Sequence, residues 1–541
     1  MNLPDFKFEQ FPNFVTLKET LFALAEAAPN LMKISVLGHS PENRELFLVT
    51  LTDFSAGSPE DRPAIYVQSD IHALEIGRTH LLYAIRELLE FHEKTGILSR
   101  KTFYIIPSIN PDHVENVIRY GMPFLRSSME FHSDLPNVLC PADIDGNGKI
   151  LWMRRKCTDG KFAPDPEDPR LMIPRTPDMQ GPFYEILPEG FIENWSGDAE
   201  FSVMTSRNWN RAFPSKWLPD HPSCGAYPMN EPELRVFGDF LASKPNICGA
   251  VSLHVGGDCV VAPPNRAKLT PGDSALMKRI GKEGCEAMKT PYVLSCELQV
   301  PPWVWEWPSA DRPGTFVDYC YEQYGMPSYD LELSGLYASV GVRFDDIASL
   351  RNYDEFNELQ RKTMAFYDLQ KDVPPLFEPW RIFEHPQLGE VELGGLYHHV
   401  LYARLISEIP QEGAELADFL VRFAKFTPQA ELEELEIIQL PGERIYEVRI
   451  RPVNSGQRPT QLTDQGSSLW WKSPLRIEFH PADGVKIISA FRAKTLAEIN
   501  AFGKAPVVCW TIQLSGDSAE LGTIEFNART GGKTRKTVRL K

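Results

Sequence analysis

Two hydrophobic periods alternate along most of this chain, and that alternation narrows the fold more than any other feature. Short apolar runs of strand length fall at 45–51, 64–68, 102–106, 247–254 and 329–333. Longer stretches with apolar residues at helical spacing fall at 16–28, 78–93, 230–242, 273–288 and 352–370. In 78–93, Leu81, Leu82, Ile85, Leu88 and Leu89 make one stripe, as expected of a helix that buries one face. Residues 102–106 are β-branched and aromatic, a buried strand by composition. A chain patterned in this way is expected to fold as layered α/β.

The rhythm breaks at 139–196, where Pro, Gly and Asp are dense and no period holds; this reads as an insertion. Pro374 and Pro375 close the α/β layer. From Leu432 the pattern changes to short alternating strands at 444–452, 475–480, 507–514 and 521–527, the signature of a small β-sandwich. At 541 residues the chain exceeds what one core usually serves. The expected division is a body at 1–382, a linker at 383–427 and a β-sandwich at 428–541, the last a packing or homo-oligomerisation module.

Acidic residues outnumber basic ones, 73 to 56, for a net charge of -17. That balance repels phosphate backbones and argues against nucleic-acid binding. Lys533, Arg535, Lys536, Arg539 and Lys541 cluster at the C-terminus and read as solvated edges of a hairpin. The first residues lack a signal-peptide pattern, and no run of eighteen apolar residues predicts a membrane span. Nine cysteines without a Cys-x-x-Cys pair suit a reducing compartment. The expected location is cytoplasmic.

After the strand at 64–68 the chain reads Ser69-Asp-Ile-His-Ala-Leu-Glu75, which places His72 and Glu75 three apart where a strand ends and a helix begins. One turn can aim both at one point. Imidazole nitrogen and carboxylate oxygen together suit Zn²⁺, whose catalytic sites use three protein ligands and leave one position open. His254 closes the apolar run 250–254 and precedes Gly256 and Gly257, so it sits at a strand end facing a loop, where α/β sheets place their sites. It is the candidate third ligand.

In order along the chain, several motifs resemble those of the metallocarboxypeptidases of the pancreatic carboxypeptidase A type. They are Leu37-Gly-His-Ser-Pro-Glu-Asn-Arg44, Ile71-His-Ala-Leu-Glu75, Pro107-Ser-Ile-Asn-Pro-Asp112, Trp209-Asn-Arg-Ala-Phe-Pro214, Ser252-Leu-His254 and Tyr329-Asp-Leu-Glu-Leu333. The resemblance covers roughly residues 11–336. It implies a three-layer α/β/α body with a mixed central sheet and one Zn²⁺ held by His72, Glu75 and His254. It implies hydrolysis of a C-terminal peptide bond by metal-activated water, with Glu332 as general base and acid. The substrate implied is a peptide or peptide-like molecule with a free carboxylate. By the same resemblance Asn210 and Arg211 grip that carboxylate, Arg126 stabilises the oxyanion with Arg154 or Arg155 as rivals, and Val317 tunes the pocket for the terminal side chain.

Three positions depart from the family pattern. Asn208 stands where an aspartate usually orients the first zinc histidine, Leu74 replaces an arginine, and Ala310 falls where a substrate-capping tyrosine is expected. The substrate therefore stays open. One alternative is an amidohydrolase on the same fold acting on acylated amino acids or cell-wall peptides. Another is a peptide-binding protein on a retired peptidase scaffold. Asp143, Asp145 and Asn147 begin like a calcium loop, but Arg154 occupies the position that needs a bidentate glutamate, so a hairpin turn is preferred to Ca²⁺. His398 and His399 read as packing or surface histidines.

Overall fold

The computed structural model describes all residues except 198–199, 220, 222, 264–268, 295–311, 351, 517 and 541. Its centre is an eight-stranded sheet, here numbered β1 (Met32–His39), β2 (Glu45–Leu51), β3 (Ala64–Gln68), β4 (Thr102–Ile106), β5 (Ile247–Val255), β6 (Cys259–Ala262), β7 (Tyr292–Leu294) and β8 (Ser328–Leu333). The strand order is β1-β2-β4-β3-β5-β8-β6-β7. Pairs β4–β3, β3–β5, β5–β8 and β6–β7 are parallel, while β1–β2, β2–β4 and β8–β6 are antiparallel. This is the expected mixed sheet.

Every residue of β3 and β5 is buried, which explains why both read as continuous apolar runs: parallel strands in the middle of a sheet are covered on both faces. One cover comprises helices Phe316–Tyr324 and Pro232–Ser243, whose Phe316 and Phe237 rings lie 6.3 and 5.0 Å from the ring of Tyr66 on β3. The other includes helix Ile409–Lys425, packed between helices Arg78–Thr95 and Pro271–Met288. Its Phe423 stands edge-on to Tyr329 of β8 at 5.5 Å. Gly249 of β5 makes room for it, since a Cβ there would come within 2.5 Å of the Phe423 ring.

The stretch 383–427 is therefore not a linker. Strands Phe377–His385 and Gly389–Leu396 form an antiparallel pair, and the second also pairs with Trp152–Lys156 of the inserted region. Together with strands from 162–188 they build a six-stranded sheet. The helix Ile409–Lys425 then belongs to the main core through Leu416, Phe419 and Phe423. Glu412 on this helix accepts from the Ser334 backbone N–H at 2.8 Å, just past the end of β8.

The hairpin expected around Asp143 is also absent. The flanking strands Val138–Pro141 and Trp152–Lys156 belong to different sheets, so the loop between them crosses from one sheet to the other. Its carboxylates are already engaged: Asp143 accepts from the amides of Gly146, Asn147 and Gly148, and Asp145 from Asn147 and Arg381. Glu189, which lies close to both, accepts from the amides of Ile144 and Leu151.

Beyond residue 428, two four-stranded antiparallel sheets enclose a separate core that includes Trp510, Phe479 and Phe526. This is a β-sandwich. Its loop at Thr463–Asp464 docks on the body: the Asp464 and Gln465 amides donate to buried Asp273 at 2.8 and 3.0 Å, and the Thr463 hydroxyl donates to the Gly325 carbonyl at 2.8 Å. The terminal strand Lys533–Arg539 pairs with Glu520–Asn527, and Arg535 and Arg539 pair with Glu525 and Glu520. No helix among the described residues is long and apolar enough to cross a membrane.

If helix Ile409–Lys425 is part of the body's core, Phe423→Ala will destabilise the body by about 3–5 kcal/mol, read as an earlier urea unfolding transition by near-UV circular dichroism. An unchanged transition would mean that this helix is dispensable packing.

Candidate metal and catalytic site

The loop between β3 and the helix Arg78–Thr95 carries the first two candidate ligands, and a buried ion pair fixes its shape. Asp70 takes a left-handed backbone conformation at φ 65°. Its carboxylate accepts from the Arg78 backbone at 3.0 Å and from Arg78 Nε at 2.7 Å, with both side chains fully buried. The Ser69 hydroxyl also donates to Asp70, and Arg78 Nη1 reaches Glu115 at 3.0 Å. Tied at 70 and 78, the loop has little freedom in where it presents His72 and Glu75.

Two further motifs hold the neighbouring loops. The Ser40 hydroxyl and the Arg44 guanidinium both donate to Asp112 at 2.6 Å, which joins the turn at 37–44 to the Pro107–Asp112 stretch. The Asn110 amide donates to the Ser127 carbonyl at 2.7 Å, steadying the segment that carries Arg126.

Donor atoms of three residues converge. His72 Nδ1 lies 3.0 Å from Glu75 Oε1 and 3.1 Å from His254 Nδ1, and His254 Nδ1 lies 2.9 Å from Glu75 Oε2. All three residues are buried. The other ring nitrogen of His72, Nε2, lies 2.9 Å from Asn208 Oδ1. An amide oxygen only accepts, so His72 carries its proton on Nε2 and leaves the Nδ1 lone pair facing the cluster. Burial, helped by Arg126, pushes the His72 pKa down to about 4, so the ring is neutral as a metal ligand must be. His254 is pushed the other way: burial opposes protonation, but Asp330, Glu75 and Glu332 outweigh it and raise its pKa well above the ordinary value. The cluster draws positive charge. Two imidazoles and a carboxylate within reach of one point match a Zn²⁺ donor set.

Glu332 is the register partner of His254 on the adjacent parallel strand β8, so both project to the same side at the sheet's edge. Gly257 permits this placement, since a Cβ there would come within 2.7 Å of Glu332 Oε2. Burial raises the Glu332 pKa to about 7, with Glu75 and Asp330 adding to the shift and His254 opposing it.

A cleft of about 280 Å³ opens over these groups, lined by Arg126, Asn210, Arg211 and Glu332 among others. Arg126 Nη1 donates to Glu75 Oε1 at 2.6 Å. The Asn210 amide donates to Asp330 at 3.2 Å and accepts from the Phe316 N–H at 2.8 Å. Arg211 donates to the Asn210 carbonyl at 2.6 Å, and its Nε has no partner among the described residues. Burial pushes its pKa down to about 9, with Arg312 and Arg126 adding. Such a guanidinium is short of a counter-ion.

Not every expected residue reaches the cleft. Val317 is fully buried in the core on helix Phe316–Tyr324, whereas Thr315 lines the cleft. Arg154 is committed to Glu392 and to the rings of Tyr184 and Trp380, and Arg155 to Glu185. The position of Ala310 lies outside the described residues.

Conversely, Asp330, Arg312, His398 and Tyr402 line the cleft without having been singled out as site residues. Asp330 was readable, because residues two apart on a strand share a face. Arg312, between Asp311 and Pro313, carries no local signal, and His398 reaches the site from beyond the sheet.

A sequence profile described as zinc carboxypeptidase matches residues 17–338, and a second, described as a domain of unknown function (DUF8731), matches 429–539. Mouse carboxypeptidase A4 is 26% identical over 293 residues, which span 52% of this chain and 54% of the mouse protein. Carboxypeptidase D of Drosophila melanogaster is 30% identical over 116 residues, 20% of this chain and 8% of the fly protein. The chain thus spans about half the length of the first relative and a small part of the second. Among solved structures, thrombin-activatable fibrinolysis inhibitor superposes with a TM-score of 0.43 at 15% identity, covering 77% of this chain and 74% of that one. Carboxypeptidase A from Helicoverpa armigera gives 0.40 at 17% identity, covering 67% and 76%. With its family match extending over more than half of its length, the chain belongs to the zinc carboxypeptidase family.

Proposed function

We propose that this protein hydrolyses the C-terminal peptide bond of a peptide or peptide-like substrate with a free carboxylate. The observation that carries this reading is the convergence of His72, Glu75 and His254, with Glu332 on the strand beside His254. A Zn²⁺ ion held by the three would supply a Lewis acid that polarises the scissile carbonyl and acidifies water.

The chain's own groups do the rest. Glu332, raised to about 7 chiefly by burial, takes a proton from water and returns it to the departing amine. A carboxyl group with a pKa near working pH is suited to both transfers. Arg126, within hydrogen-bond reach of Glu75, places positive charge where negative charge develops on the carbonyl oxygen. Arg211, buried and short of a counter-ion, receives the substrate's terminal carboxylate, and Asn210 beside it fixes its position. The side-chain pocket forms around Thr315 and Arg312 rather than Val317. The eight described cysteines are free thiols, which supports a reducing, cytoplasmic setting.

Glu332→Gln is expected to lower kcat by about 10²–10⁴-fold while zinc content, measured by plasma mass spectrometry, stays at one per chain. Normal turnover in the zinc-loaded variant would remove Glu332 from the proposed role. Asn208→Ala, which takes away the acceptor of the His72 Nε2 proton, should weaken zinc retention by about 10–100-fold in a chelator competition. Unchanged retention would mean that Asn208 does not orient the ligand.

A further inference from the structure

The short helix His398–Tyr402 lies beyond the residues matched to the family, 17–338. Its His398 and Tyr402 nevertheless line the cleft described above, whereas His399 and Val400 line a separate cavity. Two glycines seat the helix beside the site. Gly256, two residues past His254, lies so close to Tyr402 that a Cβ there would come within 2.9 Å of the ring. Gly335, three residues past Glu332, packs on the Tyr402 carbonyl, which a Cβ would meet at 3.1 Å. Such close approaches are what glycine permits.

The helix completes an aromatic wall. Trp152, from the inserted region, stands edge-on to Phe124 at 5.4 Å and to His398 at 6.0 Å, and His398 stands edge-on to Tyr402 at 6.2 Å. All four rings are half-buried, and all four residues line the cleft. Phe124 lies two residues before Arg126, whose guanidinium donates to Glu75, so the wall begins beside the metal cluster. Leu74, where the family resemblance implies an arginine, adds an aliphatic side chain to the same lining. Aromatic and aliphatic surface of this kind suits an apolar ligand group.

One polar atom is set in that wall. His398 Nδ1 lies 2.9 Å from the Pro123 carbonyl oxygen, which only accepts, so the ring proton is on Nδ1 and Nε2 carries a lone pair. Burial holds the ring's pKa below its ordinary value, which keeps it neutral near physiological pH. Nε2 has no partner among the described residues and is not sealed inside the protein. A nitrogen in that state accepts and cannot donate, so the group it selects carries an N–H or O–H.

We propose, building on the hydrolytic reading above, that this wall is the subsite for the residue on the acyl side of the scissile bond. It selects an aromatic residue whose own amide N–H donates to His398 Nε2. Arg211, Asn210 and Thr315 take the terminal residue, and the wall takes what precedes it. The substrate class is a terminal residue joined to an N-acylated aromatic one. A lysine in that place would set a charge against Trp152 and Phe124, which is unfavourable.

The test is steady-state hydrolysis by the full zinc-loaded chain of N-acetyl dipeptides with phenylalanine, alanine, lysine or N-methylphenylalanine before a shared terminal residue. The series is run with leucine, glutamate and lysine as that terminal residue. Calorimetry separately reads binding of the acyl products N-acetylphenylalanine and N-acetylalanine. The expected kcat/KM is about tenfold or more higher for phenylalanine than for alanine, lower again for lysine, and about fivefold lower when phenylalanine is N-methylated. His398→Phe, which keeps a ring but lacks the acceptor, should abolish the N-methyl penalty, and Trp152→Leu should reduce the preference for phenylalanine by about threefold. The wild-type comparison stands even if a variant fails to fold. Equal kcat/KM for phenylalanine and alanine, a preference for lysine, or an N-methyl penalty that survives in His398→Phe overturns the subsite and leaves hydrolysis intact. If no peptide is turned over, the hydrolytic reading fails and binding decides the subsite. N-acetylphenylalanine bound about tenfold more tightly than N-acetylalanine, and weakened by Trp152→Leu, supports it; equal binding overturns it.

Discussion

The site rests on the buried pair between Asp70 and Arg78. Breaking one partner of such a pair leaves a charge stranded in the interior, at a cost of about 3–5 kcal/mol. That penalty makes the loop shape stiff. Asp70 sits in a left-handed conformation and binds Arg78 through both backbone and side chain, so the intervening residues must arch over the end of β3. His72 and Glu75 are presented from that arch, three residues apart, and need only the end of β5 to complete the cluster with His254.

From there the architecture explains the chemistry. Three adjacent parallel strands, β3, β5 and β8, end at the same edge of the sheet, the place where open α/β sheets put their ligands. Glu75, Asp330 and Glu332 gather negative charge there, which raises the His254 pKa against the effect of burial. A dication bound there would offset that charge. The basic side chains Arg126, Arg211 and Arg312 line the same cleft, so it sets cationic groups beside these carboxylates.

Much of this could be read from the chain. The strand-loop-helix reading at 64–93 matches the structure, with His72 and Glu75 in the loop, because local signals decide that segment: an apolar run, a polar turn and a helical stripe. Glu332 stands out as a charge in an apolar strand, whereas Asn208 is marked only by the family resemblance; in the structure its Oδ1 meets His72 Nε2. What could not be read depends on contacts between distant segments. Strand Gly389–Leu396 pairs with Trp152–Lys156 across more than two hundred residues of sequence, and nothing local announces it. Helix Ile409–Lys425 looks like a connector until Phe423 is seen against Tyr329. Val317 was assigned by the family resemblance, and a resemblance in sequence cannot show which face of a helix meets the cleft. His398 and His399 are neighbours in sequence but open onto different cavities, a division only the packed fold reveals.

The central claim is that His72, Glu75 and His254 together hold one zinc ion. X-ray absorption at the zinc edge on the full chain tests it most directly. The account predicts one zinc per chain with two imidazole nitrogens at about 2.0–2.1 Å, oxygen in the remaining positions and no sulfur. Zinc bound through thiolate, or a spectrum without imidazole scattering, would contradict it.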